Sequence, residues 1–157
     1  MLRRSLKLIF CIALPLALGG IAGYFTKENI YNWYNLLNKP FFTPHNYLFA
    51  PIWVILYILM GISLFIIWQT PANAASKSNA YFVWGLQLIL NFGWSMLFFY
   101  WKQIGLAVTE ISILLLSIVI MIIVFYHINR KASLLQIPYL VWVFFATILN
   151  MVIWELN

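Results

Sequence analysis

The polar residues of this chain are confined to short intervals, and between them the sequence is almost unbroken apolar. Five stretches, Leu8–Phe25, Tyr47–Gln69, Ala80–Trp101, Ile104–Tyr126 and Ala132–Trp154, approach or exceed the about 20 apolar residues that a helix needs to cross a bilayer core. None alternates with period two, which excludes the strands of a barrel. A helix satisfies its own backbone groups where water is absent. The pattern predicts an all-α membrane protein, a five-transmembrane-helix bundle forming a single integral domain over residues 1–157.

The intervals differ in kind. Lys102-Gln103 is so short that the third and fourth segments must lie side by side and antiparallel. Thr70–Asn79 is polar and small, with turn chemistry, and His127–Lys131 reads as another tight turn. The first connection, Thr26–Asn46, is long, aromatic and carries Pro40 and Pro44, a composition typical of a functional loop. It runs directly into the second helix. No internal repeat is visible, which speaks against an inverted-repeat transporter. Gly19, Gly20 and Gly23 hold a small-residue spacing in the first segment suited to close helix packing, either within the bundle, the favoured reading, or between the two copies of a dimer.

Charge adds orientation rather than a nucleic-acid partner. Only 8% of residues are charged, against 65% hydrophobic, and the net +6 is spread over segment ends rather than one soluble face. Arg3, Arg4, Lys7, Lys77, Arg130 and Lys131 fall on one side, and Lys27, Lys39 and Lys102 on the other. The positive-inside rule puts the N-terminus in the cytoplasm, as suits a bacterial inner membrane. The basic start followed by an apolar run resembles a signal peptide, but the run is too long and no clear cleavage site follows, so it is read as the first helix.

Candidate chemistry is sparse. Cys11 is the single cysteine, and the chain has no aspartate. His45 and His127 belong to opposite ends of the bundle, so no metal centre or hydrolase triad is expected. Glu110 stands inside the fourth segment, where a carboxylate is costly, and reads either as a proton-linked or ligand-contacting acid or as one bonded to a neighbouring helix. Trp84, Gln87, Asn91, Trp94, Ser95 and Phe98 form one helical face. Tyr139, Trp142, Ala146 and Asn150 form another, and Trp53, Tyr57 and Gly61 a third. Aromatic walls with a few hydrogen-bonding points are the make-up of a ligand pocket.

These residues also resemble a known family. Trp33-Tyr34, Lys39-Pro40, Pro44, Pro51-Ile-Trp53 and Leu56-Tyr57-x3-Gly61 are similar to the approach to the second helix in the TspO/MBR family. That family comprises the tryptophan-rich sensory protein and the translocator protein, or peripheral benzodiazepine receptor. Asn91-Phe-Gly-Trp94-Ser95 with Phe98-Phe99 resembles its third helix. Pro138-Tyr139-Leu-Val-Trp142 with Phe145-Ala146-Thr-Ile-Leu149-Asn150 resembles its fifth.

The resemblance implies a five-helix bundle with a long, lid-like first loop over the pocket, commonly a homodimer, that binds protoporphyrin, haem and related lipophilic ligands, with no cofactor required. By matching position, the implied ligand-binding residues are Tyr34, Pro44, Trp53, Tyr57, Asn91, Trp94, Glu110, Trp142, Ala146 and Asn150. Receptor or carrier is the leading function. The alternatives are light- and oxygen-dependent degradation of protoporphyrin, with Trp53 and Trp142 as the catalytic residues, or proton-coupled export through Glu110. Phe42 and His45 stand where the family commonly has tryptophan and proline. The C-terminal sterol motif of animal members is replaced by Asn150-Met151-Val-Ile-Trp154.

Overall fold

A computed structural model describes residues 2–157, with side chains from Arg4 onward; the Arg3 side chain, counted above among the basic residues, lies outside the described residues. Among these residues five helices are long and apolar enough to cross a membrane, and no strand occurs. The chain is an integral, multi-pass membrane protein.

Helix α1 runs from Leu2 to Asn32, seven residues past the expected end at Phe25. No glycine or proline interrupts the sequence from Tyr24 to Lys39, and Thr26 Oγ1 donates to Ala22 O at 2.9 Å, so nothing stops the helix at the first polar residues. The first connection is correspondingly shorter and contains a 3-10 turn at Tyr34–Leu36. Helix α2 follows at Asn46–Gln69, just after Pro44. Pro51 sits in its second turn rather than its first, removing one ladder bond inside the helix.

Helix α3, Ala74–Ser95, starts earlier than the expected Ala80 because Asn73 caps it, accepting from Ser76 N at 2.8 Å. It widens into a π turn at Met96–Tyr100. The turn to α4, Ile104–Ile128, is tight enough that Lys102 takes a positive φ of 58°. Asn129 then caps the short α5, Arg130–Leu134, through Lys131 N and Ala132 N, before α6 begins at Ile137 and ends at Leu156.

Two ends of the bundle can be distinguished. The start of α1, the α2–α3 turn and α5 share the basic end; the first connection, the Lys102 turn and the end of α6 share the loop end. Along α4, Ala107, Ile111, Leu114, Ile118, Met121 and Phe125 are buried, while Leu106, Ile113, Leu116 and Ile123 are exposed on the opposite side. Spacing by three and four thus divides the helix into a bundle face and a lipid face. Helices α1 and α2 approach closely at Gly61, where a Cβ would stand 2.5 Å from Ile12 Cα and 2.7 Å from the Cys11 carbonyl. Only glycine permits that approach.

Candidate ligand cavity at the loop end

From the Cys11–Gly61 crossing toward the loop end, α1 and α2 part. At Gly19 a Cβ would strike the Tyr57 ring, but at Gly20 and Gly23 it would meet open space. The glycines read for helix packing therefore divide: Gly19 packs on Tyr57, and its two neighbours border a gap. That gap is a cavity of about 1050 Å³. Its walls come from α1 (Gly19, Gly20, Gly23, Thr26), the first connection (Tyr34, Lys39, Pro44, His45), α2 (Phe49, Trp53, Tyr57) and α3 (Trp94, Ser95, Phe99).

The aromatic side chains hold one another in place. Trp53 stacks on Tyr57 with ring centroids 5.6 Å apart, and approaches both Trp94 and Tyr139 at 6.3 Å. Trp94 stacks on Phe98 at 5.8 Å, and Phe98 and Phe99 receive the Tyr34 ring. Behind this wall runs a line of hydrogen bonds. Tyr57 Oη donates to Asn91 Oδ1 at 2.8 Å, and Asn91 Nδ2 donates to Tyr139 Oη at 3.2 Å. Trp94 Nε1 donates to Asn150 Oδ1 at 3.0 Å, and Asn150 Nδ2 to Ile104 O at 3.4 Å. Both asparagines are thus engaged in joining helices.

Two cations stand at the cavity rim. Lys39 Nζ donates to the carbonyls of Tyr34 at 2.7 Å and Leu37 at 3.1 Å and lies 4.8 Å from the Tyr34 ring centroid. Partial burial holds its ammonium below the usual lysine pKa. Lys27 lies 4.7 Å from the Tyr24 ring. The connection closes on itself where Asn46 Nδ2 donates to Asn35 Oδ1 at 2.7 Å. It is tied to the end of α6 by Asn38 N donating to Asn157 Oδ1 and Asn157 Nδ2 donating to Asn38 O, both at 3.0 Å.

Of the residues singled out in the sequence, Tyr34, Pro44, Trp53, Tyr57 and Trp94 come together around the cavity. Ala146 and Asn150 border a separate apolar void of about 20 Å³ that shares Tyr34, Phe49 and Trp94 with it. Asn91 borders neither, being 2% exposed behind Tyr57. Trp142 is packed between Phe49 at 5.8 Å and Phe145 at 5.6 Å, off both voids, and its indole N–H is buried without a partner among the described residues. Glu110 is likewise off both voids. Its Oε1 lies 3.5 Å from where a Cβ on Gly93 would stand, and neither oxygen has a partner among the described residues.

The α1 wall was not anticipated as a site. Its only sequence signal was the glycine spacing, which is the same whether small residues admit a neighbouring helix or leave room beside it.

Among the described residues no group of three or more histidine, cysteine or acidic side chains is placed to hold a metal. The cavity lining contains no carboxyl or thiol; His45, stacked on Tyr47 at 5.6 Å, is its one imidazole. Flat π surfaces, a large apolar volume and rim cations suit binding of a planar apolar molecule with acidic substituents.

Residues 11–155 match the model of the TspO/MBR family. The chain is 42% identical over 152 residues to the tryptophan-rich protein TspO of Archaeoglobus fulgidus, an alignment covering 97% of each chain. It is 36% identical to that of Chlorobaculum tepidum, covering 99% of this chain and 98% of the relative. With the translocator protein of Bos taurus it shares 31% identity over 143 residues, 90% of this chain and 85% of the relative.

Proposed function

The chain belongs to the TspO/MBR family, and on that premise we propose that it is a membrane receptor or carrier for tetrapyrroles such as protoporphyrin and haem, held in the loop-end cavity. The observation that carries this reading is the aromatic wall of Trp53, Tyr57, Trp94 and Tyr34 along a cavity of about 1050 Å³. A porphyrin is a flat apolar disc with acidic side groups. Stacking on indole and phenol rings is worth about 0.5–1.5 kcal/mol per pair beyond burial, and the rim ammonium groups of Lys27 and Lys39 suit the carboxylates. The names of relatives, tryptophan-rich sensory protein and translocator protein, fit a receptor or carrier.

The test is a protoporphyrin titration of the detergent-solubilised protein, followed by tryptophan fluorescence in darkness and then under illumination. Saturable quenching that weakens roughly three- to ten-fold in Trp53→Leu, with a porphyrin spectrum stable under light, is the expected result. Light-dependent loss of the porphyrin band in wild type but not in Trp53→Leu would instead make the protein a degrading enzyme. Absence of saturable quenching would sink the tetrapyrrole reading.

A further inference from the structure

At the opposite end of the bundle two cations, one from each of two helices, meet at the last turn of a third, and another stands one turn earlier. Lys7 Nζ of α1 lies 4.8 Å from the Trp68 ring centroid, and Lys77 Nζ of α3 donates to Trp68 O at 3.0 Å. One turn earlier on α2, Arg4 Cζ lies 5.9 Å from the Phe65 ring centroid. The chain holds three acidic side chains in all. Glu28 and Glu155 lie in the loop-end parts of α1 and α6, and Glu110 in the second turn of α4, which starts at the loop end. No carboxylate therefore stands near these cations, and Arg130 and Lys131 on α5 add to the positive potential of the same end.

We propose that Lys7 and Lys77 at Trp68, with Arg4 one turn earlier at Phe65, form a binding site for the phosphate of an anionic phospholipid headgroup. Setting topology requires only that basic residues lie on one side; it does not require them to gather at the end of one helix. Here the Trp68 ring and carbonyl hold Lys7 and Lys77 in place before any anion arrives, which lowers the ordering cost of binding. Ammonium and guanidinium groups together match phosphate oxygens, the Arg4 fork giving paired donors. Lipid rather than a free anion is indicated by what lies beside the cations. Leu6, Ile9 and Phe10 on α1 are 57–62% exposed, an apolar strip directed at acyl chains just below the headgroup level. Basic clusters where transmembrane helices end are suited to anionic headgroups.

Native mass spectrometry of the full chain tests this, using micelles doped with equal phosphatidylglycerol and phosphatidylcholine of identical acyl chains. Phosphatidylglycerol adducts should predominate. Arg4→Gln, Lys7→Gln and Lys77→Gln should each lower that preference roughly five-fold, Lys7→Arg should retain it, and Lys102→Gln at the loop end should leave it intact. Equal adducts of the two lipids on wild type would overturn the proposal. So would an undiminished preference in all three neutralised variants, or an equal loss in Lys102→Gln, which would reduce the effect to net charge. Displacement of phosphatidylglycerol by millimolar inorganic phosphate would reassign the site to a free anion. Each single variant is checked by circular dichroism, and Trp68→Leu, which removes the ring but no charge, should weaken the preference independently of the cations.

Discussion

Tyr57 donates its hydroxyl proton to Asn91 Oδ1 across 2.8 Å, linking α2 to α3 directly behind the aromatic wall of the cavity. Asn91 passes the contact on to Tyr139 of α6 at 3.2 Å, so one amide joins three helices. In lipid, where apolar side chains gain little by leaving one helix neighbour for another, such bonds help to define the packing.

Asn91→Leu is expected to leave the Tyr57 and Tyr139 hydroxyls without this partner and to cost about 1–2 kcal/mol. Thermal unfolding in detergent measures it. Tyr57→Phe, which removes one bond of the two, should cost less. A variant as stable as wild type would show that the hydroxyls find other partners.

Gly61 and Gly23 lie on the same two-helix seam but should behave oppositely. A side chain at Gly61 meets the backbone of Ile12 and Cys11, so Gly61→Val should force α1 from α2 and cost about 1–3 kcal/mol. Gly23 faces open space in the cavity wall. Gly23→Leu should leave the unfolding temperature unchanged while weakening porphyrin binding roughly ten-fold or more, since it occupies the ligand's volume.

The reciprocal bonds between Asn38 and Asn157 should restrain the first connection over the cavity. Exposed hydrogen bonds of this kind are worth about 0.5–1.5 kcal/mol each. Asn157→Ala should accelerate porphyrin dissociation several-fold in stopped-flow measurements, with little change in global stability. An unchanged dissociation rate would mean that the connection does not govern release.

Glu110 faces Gly93 rather than the cavity, with both oxygens unpartnered among the described residues. Glu110→Leu should therefore leave porphyrin affinity unaltered and raise the unfolding temperature, because an uncompensated buried carboxyl is exchanged for an apolar side chain of similar size. Lost affinity in this variant would place Glu110 in the ligand's environment and restore the contacting role that the family resemblance implies.

Hydropathy alone determined the five spans, because no other arrangement of such a chain satisfies its backbone in hydrocarbon. The ordered motifs around Trp53, Asn91 and Trp142 identified the family, since each carries its residue types at fixed positions. Helix ends were less legible: the Asn73 cap and the uninterrupted run beyond Phe25 extend α3 and α1 into intervals whose polarity suggested loops. Helical periodicity placed Asn91 with Trp94, and Trp142 with Ala146 and Asn150, but it defines a face without defining what lies opposite. Only the packing of the helices decided that Trp94 borders the cavity while Asn91 stands behind Tyr57, and that Trp142 is enclosed by Phe49 and Phe145. The divergence of α1 from α2 beyond Gly61, which makes the cavity, is a relation between two helices, whereas a sequence pattern describes one helix at a time.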